Sequence, residues 1–402
     1  MSSVKNVRLI CFSPMSTGPR SAGLNLEMFP LQAALRQSGH EMTVMSPSTT
    51  GREWLTARAD HESSVPSATR DLALRTPPLP PDLHEGLSLF LYDSVGALFP
   101  PFFHIYDFRL LLASHKARMP SCDAVIAFKP WLRTVGPALS TARRMGTRTV
   151  LWIDDYDISP KSPWTRKFDI VVVNSLSLGA IYQSLRPLYL PHTIPHSMIA
   201  GQSAADSNQN KRIAVLVFFP GTGVSSMYAR NVLDALDSIE ADFDAIILSL
   251  DPRADWLITH LDRLKNKSRF SVLPRISRDE VINLMSQCHA AVVLNSTTRY
   301  GRAKAPGRLL ECLSRGLPVV VQDNSESGYI VRQGACGIVS HESDPSALSA
   351  SLARLIEDGA LRSRLGRAAL IYMRARGDWQ DVATSLVRSI VDLRDVKPSG
   401  DA

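Results

Sequence analysis

The chain has 402 residues, of which 45% are apolar and 21% charged, and its formal net charge is +7. This length suits two globular domains, and the composition is that of an ordinary folded protein. No run approaches about 18 consecutive apolar residues, and the N-terminus has no secretory h-region, so we expect neither a membrane span nor a signal peptide. The mild excess of positive charge favours anionic partners such as phosphates.

The cysteines are odd in number and widely scattered. No pair has the spacing of a metal or redox site among the five, which are Cys11, Cys122, Cys288, Cys312 and Cys336. We therefore predict buried free thiols in a reducing cytoplasm.

In the first half, short apolar runs alternate with amphipathic stretches, which predicts βαβ units around a parallel sheet. The expected strands are VRLICFS, HEMTVMS, DAVIAF, TRTVLWID and DIVVVNS. The helix LNLEMFPLQAALRQSG follows the first strand and is closed by Gly39. The polar, proline-rich stretch 51–82 is predicted to be a surface loop.

Residues 196–211 lose the apolar periodicity and predict a linker between a first domain of residues 1–195 and a second of residues 212–378. The strands expected in the second domain are RIAVLVFFPG, ADFDAIILSL, RFSVLPRI, HAAVVLNS, LPVVVQD and GIVSHESD. Residues 379–402 contain an amphipathic helix that we expect to pack back on the first domain. Two doubly wound domains predict a central cleft, with ligands at the carboxyl ends of the strands.

A cation-rich loop leaves the strand HAAVVLNS and leads into the short helix GRLLECLSRG. Four basic side chains crowd the start of this helix, Arg299, Arg302, Lys304 and Arg308. The helix dipole disfavours cations there, whereas the free N–H groups favour a phosphate, so a bound anion would resolve the conflict. Pro306 suits the first helical turn. Glu311 leans back toward the helix start, where its carboxylate matches two vicinal hydroxyls.

A sugar nucleotide supplies both groups, a pyrophosphate for the cations and a ribose diol for Glu311. The other interpretation is a solvated basic loop in which Glu311 pairs with Arg308 or Arg315 at helical spacing. These residues alone leave both interpretations open.

The stretch KAPGRLLECLSRGLPVVV resembles the donor-site motif of the retaining family 4 glycosyltransferases, which have the GT-B fold. The shared order is proline, a basic residue, two apolar residues, Glu, and then Gly-x-Pro-Val-Val. Other similar segments are GPRSAGLNLEMFPLQAALRQSGHEMTVMSP, DIVVVNSLSLGAIY and ISRDEVINLMSQCHAAVVLNS. The resemblance covers nearly the whole chain and is strongest from 270 to 380. It implies two Rossmann-like, doubly wound α/β domains that face a central cleft.

The resemblance implies roles for residues of the donor site. Glu311 would hold the ribose hydroxyls, while Arg308 and nearby amides around Leu310 would face the diphosphate. Gly221 and Thr222, in the glycine turn FFPGTG, would line the donor phosphates.

Two features of the donor site depart from the family, and three further residues are donor-binding candidates. The family's Arg and Lys after the glycine turn reduce here to Arg230. Ala303 stands where the family often has a glutamate that contacts the donor sugar, so the identity of the sugar does not carry over. Gly23 would let the first-domain backbone approach the donor and acceptor. Arg302 and Lys304 complete the donor-binding candidates.

The catalytic candidates lie in the first domain. Lys129 falls near the point where the family often has a histidine, and it would stabilise charge on the sugar or leaving group; the alternative is a surface lysine. Asp154 and Asp155 would edge the acceptor side of the cleft. Asp155 and Asp157 also form an Asp-x-Asp pattern able to hold a divalent metal ion, a less favoured alternative because the donor-type helix lies far downstream.

The resemblance implies transfer of a sugar from a UDP- or GDP-linked donor with retention of anomeric configuration, without a metal ion or cofactor. An inverting enzyme would instead need a base near the acceptor, for which His104, His115 and Asp154 are the candidates. A non-catalytic sugar-nucleotide-binding protein and a transferase that modifies nucleic acid are the alternatives. No lysine suggests an attached pyridoxal cofactor, which disfavours the related phosphorylases.

The acceptor is open among glycans, lipid-linked molecules and small molecules. Residues 87–119 are rich in Phe, Leu and Tyr, and we favour helices packed on the sheet over contact with a membrane surface. We expect a cytoplasmic protein, which would lie at the inner face of the membrane if residues 87–119 contact the membrane surface. Nucleic acid is the less favoured partner because aromatic and basic residues do not interleave.

Overall fold

The computed structural model describes residues 6–13, 27–47, 54–57, 119–156, 158–207, 212–219, 226–249, 255–273, 276–293, 303–323, 325–341 and 345–394. The chain divides into two compact units. The first comprises residues 1–192 together with 379–402, and the second comprises residues 193–378. Among the helices of these described ranges, none combines the length and apolar character needed to cross a bilayer.

The first unit is built on a seven-stranded sheet with the order β3-β2-β1-β4-β5-β6-β7. Its strands are β1 (Arg8–Phe12), β2 (Glu41–Pro47), β3 (Trp54–Ala57), β4 (Ala124–Phe128), β5 (Arg148–Ile153), β6 (Ile170–Val173) and β7 (Leu188–Tyr189). All neighbours pair in parallel except β2 and β3. The central strands β4 and β6 are buried at every position, as expected for a parallel sheet covered on both faces.

Strand β3 corrects the expectation of a loop at residues 54–57, while the rest of the stretch 51–82 lies outside the described residues. Its four residues form an antiparallel edge strand, with Trp54 opposite Pro47 and Ala57 opposite Val44. So short a strand in polar surroundings carries almost no periodicity, and it forms because the edge of β2 supplies its backbone partners.

Three helices of the first unit are α1 (Phe29–Gln37), α2 (Leu132–Met145) and α3 (Leu176–Ile181). Helix α1 ends before Gly39 and α2 before Gly146, and both glycines have positive φ, at 77° and 64°. A residue in this left-handed conformation stops a helix, and glycine adopts it without strain.

The second unit contains a six-stranded, entirely parallel sheet with the order β10-β9-β8-β11-β12-β13. Its strands are β8 (Ile213–Phe219), β9 (Phe243–Ser249), β10 (Phe270–Leu273), β11 (Ala290–Val293), β12 (Val319–Gln322) and β13 (Gly337–Ser340). Its helices are α4 (Ala204–Ser207), α5 (Ser226–Asp237), α6 (Asp255–Leu261), α7 (Arg278–Gln287), α8 (Gly307–Ser314), α9 (Glu326–Gly334), α10 (Pro345–Glu357) and α11 (Gly359–Ala375).

The last helix, α12 (Trp379–Arg394), belongs to the first unit. Its apolar face joins the core formed by α1 and the first sheet, where Trp379, Leu386 and Ile390 lie in one buried cluster with Leu31 and Leu35. An amphipathic helix packs in this way because burial removes its apolar face from water while its polar face stays in contact with solvent.

Much of the segment predicted as a linker, residues 196–211, packs on the second unit. The N–H groups of Ala200 and Ala204 donate to Ser314 and Arg315 at 2.8 Å each. The hydroxyl of Ser203 donates to the carbonyl of Gly316, also at 2.8 Å. Polar composition indicates a linker, yet two backbone N–H groups and one serine hydroxyl of this segment satisfy the carbonyls at the end of α8.

We expect Gly366→Ala to lower the free energy of unfolding by about 1–3 kcal/mol, because a methyl group there overpacks the segment just described. A Cβ at residue 366 would lie 2.5 Å from the carbonyl oxygen of Gly316 and would also meet Ser203. Gly359→Ala is the matched control in the same helix, since its Cβ would meet only Arg362 at 3.5 Å. Equal denaturation midpoints for the two variants would contradict the prediction.

All five cysteines are free and buried, which confirms the prediction of buried thiols. Burial raises the pKa of the Cys288 and Cys336 thiols to about 12. These thiols stay protonated at neutral pH and are therefore poor nucleophiles and poor metal ligands.

Candidate functional site

Strand β11, which precedes the cation-rich stretch in the sequence, lies at the switch point of the second sheet. Strands β8 and β11 are neighbours, but the chain continues from β8 to β9 on one side and from β11 to β12 on the other. Such a reversal opens a crevice at the carboxyl ends of the strands, where parallel sheets bind ligands. The strands that end at this crevice are β8, which precedes Gly221 and Thr222 in the sequence, and β11, which precedes the cation-rich stretch.

Helix α8 begins at Gly307, with Pro306 as its N-cap residue. Pro306 has no side chain able to cap the helix, and the first turn contains no acidic residue. The positive end of the helix dipole is therefore not offset by a carboxylate of that turn, which favours a bound anion.

Glu311 is the buried centre of the site, with only 3% of its side chain exposed. Its Oε2 accepts a hydrogen bond from Nη1 of Arg308 at 2.8 Å, and its Oε1 accepts one from Nε of Arg278 at 3.1 Å. The pair with Arg308 has the i,i+3 spacing that the interpretation of a solvated basic loop predicts from the sequence. Both arginine side chains remain accessible, Arg308 at 50% and Arg278 at 35%, so a ligand can reach them.

Arg278 is absent from the sequence-based candidates. It is the first residue of α7, and a reciprocal capping box between Ser277 and Glu280 fixes the start of that helix. The pattern SRDE predicts the capping box, but nothing in it indicates contact with a glutamate 33 positions later.

A third guanidinium, that of Arg315, also acts on Glu311. Burial lowers the pKa of Arg315; the charge of Glu311 opposes this effect and that of Arg278 adds to it. The Nε atom of Arg315 is buried and has no hydrogen-bond partner among the described residues. Three cations therefore act on one carboxylate, and this excess of positive charge favours an anion with more than one charge.

The other positions of the donor site differ in exposure to solvent, and some lie outside the described residues. Lys304 and Arg230 are exposed, whereas Leu310 and Ala303 are buried, and the Leu310 amide donates to the Pro306 carbonyl within α8. Four of the donor-binding candidates lie outside the described residues: Gly23, Gly221, Thr222 and Arg302.

Lys129 lies at the carboxyl end of β4, beside the switch point between β1 and β4 of the first sheet. Only 4% of this residue is exposed, which excludes a surface lysine. Its Nζ lies 2.8 Å from Oδ1 of Asp154 and 2.6 Å from Oδ2 of Asp155, both of which follow β5. The two strands thus bring the three charged side chains together in one buried ionic cluster.

The backbone of Lys129 is strained, with a φ of 65°. A residue with a Cβ rarely adopts this left-handed conformation. The surrounding chain fixes it, because its N–H donates to the Trp152 carbonyl at 2.9 Å and its carbonyl accepts from the Thr134 hydroxyl at 2.5 Å. Strain held in this way is concentrated at functional sites.

The Asp-x-Asp alternative involves two residues in different situations. Asp155 forms the short ion pair with Lys129, so an ammonium group already contacts the oxygen Oδ2. Asp157 lies outside the described residues, and the metal interpretation stays a prediction.

A further buried carboxylate, that of Glu27, is absent from the sequence-based candidates. It is 5% exposed and accepts hydrogen bonds from Nε1 of Trp152 at 3.0 Å and from Nδ2 of Asn174 at 3.3 Å. The ring of His192 lies 3.4 Å away. These partners come from the ends of β5, β6 and β7, so the cluster fixes the chain just before α1 against the edge of the sheet that carries Lys129.

The second unit matches a known family. Residues 206–370 match the model described as "Glycosyl transferases group 1". Over 133 residues the chain is 28% identical to the glycogen synthase of Mycobacterium tuberculosis (strain H37Rv), a match that covers 33% of this chain and 30% of that protein. The match thus spans less than a third of the curated relative's length.

Two solved structures share the architecture over nearly the whole chain. The sucrose-phosphate synthase of Thermosynechococcus elongatus has a TM-score of 0.67 at 12% identity, covering 98% of this chain and 100% of that one. Anabaena HepE, solved in complex with UDP and glucose, has a TM-score of 0.60 at 14% identity, covering 96% and 100%. The two doubly wound sheets are therefore those of the GT-B fold, which confirms the fold class. Within this fold, residues 206–370 are the part of the chain that is similar to the glycosyl transferases group 1 family.

Proposed function

We propose that this chain is a glycosyltransferase that moves a sugar from a nucleotide diphosphate donor to a glycan acceptor, with retention of configuration and without a metal ion. The observation that carries the proposal is the buried carboxylate of Glu311, which lies under the guanidinium groups of Arg278 and Arg308 at the open start of α8. The names of the similar proteins support it, since two are synthases of glycosidic products and one was solved with UDP and glucose.

The donor is held by charge in this proposal. The diphosphate lies against the N-terminus of α8 and the side chains of Arg308 and Lys304, while Glu311 accepts hydrogen bonds from the ribose diol. As the bond between the sugar and the diphosphate breaks, negative charge develops on the departing oxygen. Fixed cations and helix N–H groups stabilise that charge in place of a metal ion.

The first unit supplies the electrostatics on the sugar side. The ammonium group of Lys129, held by Asp154 and Asp155 at 2.8 and 2.6 Å, is fixed before the substrate arrives. Retention then requires no protein nucleophile, because an oxygen of the leaving phosphate takes the proton of the acceptor hydroxyl as that hydroxyl attacks on the same face. We assign Lys129 to stabilise charge on the sugar or leaving group and Asp154 to orient the ammonium group.

We expect one nucleoside diphosphate to raise the melting temperature, and EDTA to leave the shift unchanged. At a ligand concentration of about 100 times Kd, the stabilisation is about 2.7 kcal/mol. The measurement is a thermal-shift panel of UDP, GDP, ADP, TDP and CMP with and without EDTA, with CMP as the monophosphate control. The anomeric configuration of the product, read by NMR, then tests retention.

Three outcomes would contradict parts of the proposal. If no diphosphate shifts the transition, the donor site is wrong, and if EDTA abolishes the shift, metal independence is wrong. If the donor binds but is neither transferred to a panel of glycans nor hydrolysed, the chain is a non-catalytic sugar-nucleotide-binding protein.

A further inference from the structure

We infer that Arg278 is a positioning residue that holds Glu311 for the ribose diol, while Arg308 releases Glu311 when the donor binds and turns to the diphosphate. The inference rests on the proposed function and assigns separate roles to two arginines that contact the same carboxylate. Arg278 bonds Oε1 and Arg308 bonds Oε2, so the two carboxylate oxygens are held independently.

Arg278 is the more firmly held of the two. It begins α7, whose start is fixed by the capping box of Ser277 and Glu280, and it reaches Glu311 from a different helix. Its Nη2 lies 4.0 Å from the sulfur of Met198, so the guanidinium is in contact on two sides. With 35% of its side chain exposed, it is also the less accessible arginine.

Arg308 is positioned to move. It stands on the same helix as Glu311, one turn away, and half of its side chain is exposed. Its guanidinium lies 5.9 Å from the ring centroid of Phe218, near the end of β8. Phe218 lies at the carboxyl end of β8, where parallel sheets bind ligands, so the charge of Arg308 is already at that end of the sheet.

The burial of Glu311 explains why both arginines are needed. A carboxylate that is 3% exposed is strongly destabilised unless a cation accompanies it. When Arg308 leaves Oε2, that oxygen becomes available to the diol, and Arg278 keeps the charge compensated and the carboxylate plane oriented. Without Arg278, the carboxylate keeps its bond to Arg308 and the diol competes with that bond.

The test separates the diol from the diphosphate by changing the ligand. Titration calorimetry measures the binding of the nucleoside diphosphate identified by thermal shift, its 2′,3′-dideoxy form and the free nucleoside. The variants are Arg278→Gln, Arg308→Gln and, as a matched control, Arg212→Gln. Arg212 is 54% exposed and pairs with Asp242 at 2.8 Å, at the amino end of the same sheet.

In wild type we expect the diol to strengthen binding by about tenfold or more, since hydrogen bonds to a charged group are strong. Arg278→Gln should reduce this ratio between the diol and dideoxy ligands to near one while leaving the binding of the dideoxy form unchanged. Arg308→Gln should weaken the diphosphate by about tenfold without weakening the nucleoside, whose diol gains free access to Oε2. Arg212→Gln should alter neither ratio.

If Arg278 is merely structural, Arg278→Gln should weaken the binding of all three ligands equally, and that result would overturn the inference. A ratio between the diol and dideoxy ligands equal to that of wild type would also overturn it. If Arg278→Gln does not fold, Arg278→Lys replaces it, because lysine keeps the charge but lacks the Nε donor; an unchanged ratio in Arg278→Lys would equally overturn the inference. Failure of wild type to bind any nucleotide would refute the proposed function itself, and the inference with it. Wild-type binding with an unaltered ratio in the variant refutes the inference alone.

Discussion

Replacement of Glu311 by glutamine is expected to lower kcat/KM for the donor by about 10- to 100-fold. Glutamine keeps the size of the side chain and one acceptor oxygen, but it removes the negative charge on which Arg278 and Arg308 converge. A hydrogen bond from the ribose to a charged acceptor contributes about 1.5–3 kcal/mol, which corresponds to this range of rate or affinity. Steady-state kinetics, or donor binding by calorimetry, measures the effect.

The matched control for this variant is Asp242→Asn. Asp242 also pairs with an arginine at 2.8 Å, but it precedes β9 at the amino end of the sheet. Both variants neutralise one paired carboxylate of the second unit, so a difference between them reports the site and not the charge. An unchanged kcat/KM in Glu311→Gln would show that the carboxylate serves only to pair the arginines of α7 and α8.

Lys129→Met is expected to lower the rate of transfer by about 100-fold or more while leaving donor affinity unchanged. The rate falls because the reacting groups lose a fixed charge, and loss of one electrostatic donor in an active site has effects of this size. Donor affinity persists because Lys129 is not among the residues assigned to the nucleotide, such as Glu311 and Arg308. Single-turnover kinetics and calorimetry on the same sample separate the two effects.

This variant also loses stability, which its control takes into account. Removal of the ammonium group leaves Asp154 and Asp155 buried without their cation, a change that costs about 3–5 kcal/mol. The double variant Lys129→Met, Asp155→Asn removes one of the two uncompensated charges and should recover part of that stability without recovering transfer. Recovery of transfer along with stability would make Lys129 a structural residue.

The fold was predictable because its strands are continuous apolar runs. Runs such as DAVIAF and LPVVVQD are buried on both faces, and this pattern is typical of parallel sheets. The end of the sheet that carries the site was predictable for the same reason, since loops after such strands line the crevice. Strand β3 was not predictable, because four residues without periodicity become a strand only where β2 offers a free edge.

The contacts among the candidate site residues were much less predictable than the fold. Helical spacing indicates the pair of Arg308 and Glu311, because both stand on α8. Arg278 reaches Glu311 from another helix, and Asp155 reaches Lys129 from a neighbouring strand, 26 positions later. Such contacts depend on how elements pack, and the sequence around each residue does not carry that information.

The discontinuity of the first unit has a consequence for biosynthesis. Residues 1–192 emerge from the ribosome early. The helix α12, which begins at Trp379 and completes the same core, emerges only after the entire second unit. The second unit is thus an uninterrupted insertion able to fold while the first still exposes the apolar face of α1. A premature stop near residue 378 would spare every residue of α8, yet it would damage the core that begins with β1.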